Sequence, residues 1–336
     1  MMQQLRRLNN IFSKKAIVLM YHRVANVMYD PWALSVSPKN FEEQIEVLSK
    51  SFKVVELDEL IDNHAVGKLN HKTICITFDD GYTDNFLHAK PILENFNSPA
   101  TFFIASDYIG SGKLFWWDLL EDIMLGSIQL PTFISIEIAG KIFEYSLKDP
   151  VLNEAQINEQ NTWRWPAEPP NDRCRLYLAI WEQLLPLTLP EINKALEFIV
   201  KWAGFDEAPK NDKVPMTFEQ LNTFSDKGLF TLGIHTATHA ALPFHSSNYQ
   251  QAEMNRCKTL LKKHFTNISN AIAYPYGRYN EASVQAARNA GIKAGFTTSQ
   301  AAITKKSDIL ALGRMQVCNW AGNGFKKQVD NWFANC

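Results

Sequence analysis

Short runs of apolar, strand-forming residues alternate along the chain with longer amphipathic segments. This alternation is typical of a parallel sheet with covering helices. The strands of such a sheet are buried on both faces, whereas each helix buries one face and exposes the other. We predict eight strands, at Ala16–Tyr21, Lys53–Val55, Thr73–Phe78, Ala100–Ile104, Leu229–Ile234, Ala271–Tyr274, Ala294–Thr297 and Leu312–Val317. Between them we predict helices at Pro38–Ser51, Asp84–Asn95, Thr217–Ser225, Asn248–His264 and Glu281–Ala290. Such units indicate an α/β fold, a barrel or a barrel-like wound sheet.

The alternation is interrupted between Lys113 and Pro215. Six of the nine tryptophans fall in this stretch, Trp116 and Trp117 among them. We interpret residues 113–215 as a mostly helical insertion that forms a lid on one discontinuous barrel domain, residues 16–112 and 216–336. Residues 1–15 would be a leader. The tryptophans fit either a wall that stacks on sugars or a small second core, and Trp116 and Trp117 are the candidates for substrate contact.

Composition and charge exclude several classes of protein. The chain is 46% hydrophobic, so its composition is not that of a disordered protein. Its formal net charge is -1, so it lacks the basic excess of a typical nucleic-acid binder. The longest uncharged apolar stretch, residues 123–136, is shorter than the ~20 residues that span a bilayer. The basic start is followed by too short an apolar run for a signal peptide. We therefore expect a cytoplasmic protein, with contact at the inner face of the membrane as an alternative.

Candidate metal ligands stand at the ends of two predicted strands. Asp79 and Asp80 follow Thr73–Phe78, where a tight turn is required for both carboxylates to face one site. Asp-Asp-Gly is also an ordinary turn signal. His235 and His239 follow another strand, and two His at i and i+4 can converge on one metal ion. Two His and one carboxylate would suit zinc, and also iron, cobalt or nickel.

A third segment, Tyr274-Pro275-Tyr276-Gly277, marks a turn after a predicted strand. Backbone N–H groups in such a turn can face a cleft, as an oxyanion site requires. By itself the segment indicates a turn and nothing more.

Together the three segments resemble a known family. Phe78-Asp79-Asp80-Gly81, His235-Thr236 with His239, and Tyr274-Pro275-Tyr276-Gly277 are similar, in this order, to the first three motifs of the polysaccharide deacetylases. These proteins have the NodB-homology domain and form carbohydrate esterase family four. Residues 19–24 also resemble the opening strand of many members. The resemblance covers about residues 16–110 and 215–318 and leaves the 113–215 insertion outside.

The resemblance implies a fold, a reaction and roles for particular residues. It implies a distorted (β/α)7-8 barrel that hydrolyses an N-acyl amino sugar. Asp79 would be the general base, and Asp80, His235 and His239 would bind a divalent metal. Zinc is the expected metal, with cobalt, nickel, iron and manganese as alternatives. The metal and the backbone N–H near Tyr276 would stabilise the oxyanion of the tetrahedral intermediate.

The chain departs from the family pattern at two positions. Many members have an Arg, which orients the catalytic Asp, at the position of Ala273. Many also have a general-acid His in the C-terminal stretch where this chain has Arg314. Arg314 cannot readily give up a proton, but it can bind an oxyanion or hold a carboxylate. The general acid is therefore open, with His22 as the first candidate and His245 or protonated Asp79 as the others.

These residues lead to one principal functional hypothesis and two alternatives. We expect a metal-dependent hydrolase that removes an acetyl or formyl group from an amino sugar in surface-polysaccharide or lipopolysaccharide biosynthesis. Its substrate would be nucleotide-linked, lipid-linked or an oligosaccharide. One alternative is a sugar-binding homologue with impaired catalysis, since the usual Arg and acid His are missing. The other is a carbohydrate O-acyl esterase, since the same chemistry attacks an ester.

Overall fold

The computed structural model describes residues 14–206, 213–225 and 228–336. The chain divides into two compact units. The first contains Leu34–Ser111 and Met216–Cys336 together with the chain up to Asn26, and the second contains Val27–Ala33 and Gly112–Pro215. Of the leader expected at residues 1–15, residues 1–13 lie outside the described part of the chain.

Strands of three sheets occur in the described residues. They are β1 Ala16–Tyr21, β2 Arg23–Val24, β3 Ser35–Val36, β4 Lys53–Val54, β5 Thr73–Phe78, β6 Ala100–Ile104, β7 Phe133–Ile138, β8 Lys141–Ser146, β9 Phe230–Ile234, β10 Ile268–Ala273, β11 Ala294–Phe296 and β12 Met315–Gln316. The main sheet has eight strands in the order β11-β10-β9-β6-β5-β1-β12, with β4 beside β5. All of its strand pairs are parallel. The predicted α/β sheet is therefore confirmed, although the last strand is much shorter than the predicted Leu312–Val317.

Helices connect and cover these strands. The α-helices are α1 Pro38–Ser51, α2 Leu57–Ala65, α3 Lys90–Asn95, α4 Trp116–Glu121, α5 Glu154–Thr162, α6 Asp172–Leu184, α7 Leu189–Ala203, α8 Phe218–Asn222, α9 Ser247–His264, α10 Glu281–Asn289 and α11 Gly322–Asn335. Helix α1 begins where its sequence predicts. The Ser37 side chain caps it by accepting from the Asn40 N–H, and Pro38 occupies the first turn, where no N–H donor is needed.

The two faces of the main sheet are buried in separate cores. In β1, Ile17, Leu19 and Tyr21 point into the larger core, whereas Ala16 and Val18 point into the smaller one. This alternation follows from the two-residue period of a strand. The smaller core is rich in alanine (Ala16, Ala271, Ala273 and Ala294), as a tightly curled inner face requires.

The second unit combines helices α4–α7 with the antiparallel hairpin β7–β8. The prediction of a mostly helical insertion does not include this hairpin. Its signal was the alternation in β7, where Ile134, Ile136 and Ile138 are buried and the intervening residues are exposed. Arg173 of α6 is fully buried and donates to the carbonyl oxygens of Met124, Ser127 and Pro150, which ties α6 to the preceding loops.

Within the ranges that the structure describes, no helix has both the length and the apolar character needed to cross a bilayer.

Candidate active site

The carboxyl ends of β5 and β9 bring three candidate metal ligands together. Strand β5 ends immediately before Asp79 and Asp80, and β9 ends immediately before His235. One ligand atom each from Asp80, His235 and His239 lies within 4.8 Å of the others. All three side chains are buried. A bound cation there would be largely shielded from solvent.

Asp80 supplies a carboxylate oxygen that is well placed for a cation. Its Oδ1 is 3.3 Å from His235 Nε2 and 3.2 Å from His239 Nε2. Among the described residues this buried oxygen has no hydrogen-bond partner, which is costly unless a cation is its partner. Burial alone would raise the pKa of Asp80, but the imidazoles of His239 and His235 hold it well below its usual range. The residues therefore fit a divalent metal ion.

A second contact fixes the orientation of His235. Its Nδ1 lies 2.7 Å from the carbonyl oxygen of Ala273, at the end of β10. Because a carbonyl only accepts, Nδ1 carries the proton and Nε2 presents its lone pair towards Asp80. Metal-binding histidines in proteins are commonly held in this way.

The backbone of the site adopts conformations that most residues avoid. Four residues other than glycine have positive φ angles here: Asp80 (72°), Thr236 (61°), His239 (57°) and Tyr276 (57°). The adjacent Gly81 has a φ of 91°, and a Cβ there would lie 2.8 Å from Ile104 Cδ1. Such conformations cost free energy and cluster at functional sites. Here they allow adjacent Asp79 and Asp80 to serve one site.

Asp79 is held by Arg314 and does not belong to the ligand triad. Arg314 Nη1 donates to Asp79 Oδ1 at 2.7 Å, and Nη2 donates to Oδ2 at 2.6 Å. Burial alone would raise the pKa of Asp79, but Arg314, His235 and His22 hold it below its ordinary value. Arg314 is fully buried and also donates to the Thr297 carbonyl oxygen. Of the two actions left open by the sequence, Arg314 is placed to hold a carboxylate.

Of the two candidate histidine acids, His22 faces Asp79. It follows β1, and its Nε2 lies 3.8 Å from Asp79 Oδ2. Its side chain retains 14% exposure. Burial lowers the pKa of His22, and the Asp79 charge opposes that shift. His245 instead stacks on Tyr249, with ring centroids 4.5 Å apart.

Tyr276 borders the ligand triad. Its ring centroid is 4.5 Å from that of His239, with the planes at 75°. The following Gly277 has a φ of 65°, and a Cβ there would lie 2.1 Å from Thr298 Oγ1. Glycine is therefore required for the turn that places Tyr276.

Trp116 and Trp117 do not present free indole faces, so the expectation that they contact substrate is not supported. They are 3% and 7% exposed. Trp117 stacks on Phe115 at 4.7 Å, and Trp116 lies 6.1 Å from Trp181. Both therefore pack in an aromatic core of the second unit, the other reading that the sequence allowed.

Glu253, a residue that no sequence pattern indicated, supports the loop between the two histidines. This buried carboxylate of α9 accepts from the N–H groups of Ala237 and Thr238. The local sequence around a helical glutamate contains no signal for such a contact. The pairing of Arg314 with Asp79 was likewise not deducible, because the two are 235 positions apart.

Comparisons with known proteins show what the chain is similar to. The sequence profile described as "Polysaccharide deacetylase" matches residues 66–127 and 194–295. YxkH of Bacillus subtilis (strain 168), named as a polysaccharide deacetylase, is 31% identical over 117 residues, which are 34% of this chain and 42% of that protein. The poly-beta-1,6-N-acetyl-D-glucosamine N-deacetylase of Staphylococcus aureus (strain N315) is 21% identical over 331 residues, 94% of this chain and 82% of that protein.

Solved structures share the fold. The Streptococcus pyogenes deacetylase PplD in complex with acetate aligns with a TM-score of 0.58 at 19% identity, covering 94% of this chain and 99% of that one. The curled parallel sheet is thus the NodB-type barrel fold, as the resemblance implied. The chain is therefore similar to polysaccharide deacetylases both in parts of its sequence and in its fold. It spans less than half the length of the Bacillus relative.

Proposed function

We propose that this protein is a metal-dependent N-deacetylase that acts on N-acetylglucosamine units of a surface polysaccharide. The observation that carries the proposal is the buried triad of Asp80, His235 and His239 beside an Asp79 carboxylate held by Arg314. The names of the relatives support the substrate class, since the Staphylococcus protein is named for poly-beta-1,6-N-acetyl-D-glucosamine. Asp79, Asp80, His235 and His239 all lie in segments that match the family profile.

Asp80, His235 and His239 would hold the metal ion, and we propose zinc. When bound, a divalent ion there would polarise the amide carbonyl and make a water molecule more acidic. The donor set of two imidazole nitrogens and one carboxylate oxygen is typical of catalytic zinc with open positions.

Asp79 would act as the general base. Both of its oxygens accept from Arg314, but each retains a lone pair, because a carboxylate has about four acceptor sites. The lowered pKa keeps Asp79 ionised. Asp79 takes a proton from water as the water oxygen bonds to the amide carbonyl carbon. The backbone N–H of Tyr276 is our candidate donor to the resulting oxyanion.

His22 would be the general acid. Because burial lowers its pKa, it would first take up the proton that Asp79, 3.8 Å away, has removed from water. As the carbon–nitrogen bond breaks, the nitrogen must gain a proton, because an amide anion is too basic to leave. His22 is the histidine that borders Asp79, and it remains partly exposed. The products are acetate and the free amine of the sugar.

Acetate release from poly-beta-1,6-N-acetyl-D-glucosamine oligomers tests the proposal directly. We expect acetate and a matching number of free amines from the wild-type protein with zinc, and neither from the Asp79→Asn variant. Mass spectrometry of the product distinguishes loss of acetyl from loss of formyl. Cleavage confined to O-acetylated sugars would favour the esterase alternative. Sugar binding without turnover would favour the impaired homologue.

The location of the protein stays a prediction. The expected cytoplasmic setting, with or without contact at the inner membrane face, is tested by fractionating the producing cells. Recovery outside the cytoplasm and inner membrane would overturn it.

A further inference from the structure

Four indole rings form a continuous row in the second unit. Trp116 lies 6.1 Å from Trp181, Trp181 lies 4.9 Å from Trp32, and Trp32 lies 6.1 Å from Trp165. The row begins in the core, where Trp116 is 3% exposed, and ends at Trp165, which is 47% exposed. The planes of Trp32 and Trp165 meet at 53°, so the two rings do not lie flat on each other. An aromatic surface is left open to solvent.

The exposed end of this row is held in place by hydrogen bonds. The Trp165 backbone N–H donates to the Pro31 carbonyl oxygen at 2.7 Å, and Trp32 Nε1 donates to the Tyr177 hydroxyl at 2.8 Å. Trp116 and Trp163 are buried in the core, whereas the exposed indole of Trp165 adds little to core packing. A rigid, exposed aromatic surface binds a ligand with little loss of side-chain freedom.

Acidic side chains lie close to the Trp32 part of the row. Asp30 precedes Pro31 and Trp32 in sequence, and its charge acts on the Tyr177 hydroxyl to which Trp32 donates. Nearby, Lys213 lies 3.8 Å from Asp118, 4.0 Å from Glu121 and 2.6 Å from Asp122. Because burial raises the pKa of Glu121 to about 8, the charges here are those of Asp118, Asp122 and Lys213, which leave one net negative charge. Aromatic faces beside carboxylates favour a ligand that is both apolar and cationic.

We propose that Trp165 and Trp32 form a binding site for an amino-sugar chain, in which the indoles pack on the C–H faces of the sugar rings. Units that have already lost their acyl groups carry an ammonium and would bind more tightly than acetylated units. This inference rests on the proposed function, since it assumes an amino-sugar polymer as the substrate. It replaces Trp116 and Trp117 by Trp165 and Trp32 as the tryptophans that contact the polymer.

The test measures binding of partly deacetylated poly-beta-1,6-N-acetyl-D-glucosamine to the full chain by affinity electrophoresis. The Asp79→Asn background keeps the polymer unchanged during the measurement. Trp165→Ala should weaken binding about tenfold, from the lost stacking and cation–π contact. The matched control is Phe198→Ala, an aromatic residue of the same unit that is 43% exposed, which should change binding less than about twofold.

Two results would overturn this inference. One is wild-type affinity in Trp165→Ala with unchanged folding by circular dichroism. The other is equal loss of affinity for an uncharged glucan, which would remove the role of the ammonium. The outcome is separate from that of the proposed function, because a wild-type protein that releases no acetate can still bind the polymer through Trp165.

A second inference concerns the loop that joins the two histidines. Glu253 Oε2 accepts from the Ala237 N–H at 3.1 Å, the Thr238 N–H at 2.7 Å and the Thr238 hydroxyl at 3.0 Å. Arg256 donates to the other Glu253 oxygen at 3.0 Å and to Asp107 at 2.8 Å. The loop between the ligands is thus bonded to a carboxylate that is itself anchored.

We infer that Glu253 is a positioning residue that sets the affinity of the site for its metal. The loop it holds has left-handed backbone at Thr236 and His239, which costs free energy unless other contacts compensate. Without Glu253 the loop is expected to relax, and His239 then moves relative to Asp80. Both imidazoles can still bind a metal ion, but their nitrogen atoms no longer lie at the positions that one ion requires.

Zinc affinity of the full chain, measured by competition with a chromogenic chelator, tests this role. Glu253→Ala should weaken zinc binding about 10–100-fold, as outer contacts of metal ligands do. Glu253→Gln should recover part of the loss, because its amide oxygen still accepts. The control is Lys262→Ala, an exposed residue of the same helix. Wild-type zinc affinity and an unchanged cobalt absorption spectrum in Glu253→Ala would overturn the inference.

Discussion

Each unit of the molecule contains a cluster of buried carboxyl groups, and pKa values shift in opposite directions in the two clusters. In the first unit, the pKa values of Asp79 and Asp80 are held below their ordinary values. In the second, burial raises the pKa of Glu121 to about 8, with Lys213 opposing the shift and Asp118 adding to it. All four of these carboxyl groups are buried.

The difference lies in how many cationic or hydrogen-donating groups each carboxylate faces. Asp79 has both guanidinium nitrogens of Arg314, and Asp80 faces two imidazoles. Among the described residues of the second unit, the Lys213 ammonium lies within 4.0 Å of Asp118, Glu121 and Asp122, and the Tyr29 hydroxyl donates to Asp122. Burial by itself therefore does not indicate a catalytic carboxylate. A carboxylate that stays ionised when buried is the better candidate for a base or a ligand.

Loss of a ligand from the first cluster should have the largest effect. His239→Ala removes one of the three groups around the proposed cation, so stoichiometric zinc and deacetylase activity should disappear together. Metal analysis of the purified variant, with Phe198→Ala as a folded control, checks this. A variant with full zinc content would exclude His239 as a ligand.

Replacing the proposed base should separate chemistry from metal binding. Asp79→Asn keeps the size of the side chain but removes the basic oxygen, so kcat should fall by at least ~100-fold. Zinc content should stay near that of the wild type. An Asp79→Asn protein that loses its metal would make Asp79 a ligand and reverse the roles of the two aspartates.

The role of His22 can be tested by the choice of leaving group. His22→Gln should lower kcat on an N-acetyl sugar about 100-fold, because the amine must be protonated as it leaves. An activated acetyl ester needs no such proton, so its hydrolysis should fall much less. Equal loss on both substrates would contradict the assignment of His22 as the acid.

The bidentate contact of Arg314 should matter both for activity and for stability. Arg314→Lys keeps the charge but loses the paired geometry, so we expect about a tenfold fall in kcat. Arg314→Ala leaves Asp79 buried without its partner and should cost about 3–5 kcal/mol of folding free energy. Urea denaturation measures this loss. An Arg314→Ala protein as stable as the wild type would show that Asp79 does not depend on the pair.

The smallest effect is expected in the second cluster, as a change in pH dependence. The pKa of Glu121 is about 8 in the folded protein and ordinarily 4.5, so the folded state retains a proton that the unfolded state loses. Stability contributed by this group therefore falls as the pH rises from about 4.5 to 8. Glu121→Gln removes the titration, so its Tm relative to wild type should rise by about 2–4 °C between pH 5 and pH 9.

The control for this prediction is Glu137→Gln, an exposed carboxyl of the same unit. Its Tm relative to wild type should be the same at both pH values. A Glu121→Gln protein whose relative Tm also stays constant would show that Glu121 does not retain its proton, and the contrast between the two clusters would then fail.

The sequence by itself determined the strands of the main sheet and the residues that follow them. Apolar periodicity is a local property, and strands such as Ala16–Tyr21 and Thr73–Phe78 have the predicted bounds. Parallel strands end at a common edge, so Asp80 and His235 could be placed near one another before any coordinates were known. The hairpin β7–β8 was equally local, but its alternation lay in a segment interpreted as helical.

Only the tertiary structure decided which groups act on these residues. The contacts of Asp79 with Arg314 and of Glu253 with the loop between the histidines join parts of the chain that are separate in sequence. No local pattern specifies such contacts, because they depend on how the sheet curls and on which side chains share its interior. Packing likewise places Trp116 and Trp117 in a core and leaves Trp165 exposed. The sequence does not distinguish these tryptophans, because the exposure of an indole depends on the side chains that pack around it.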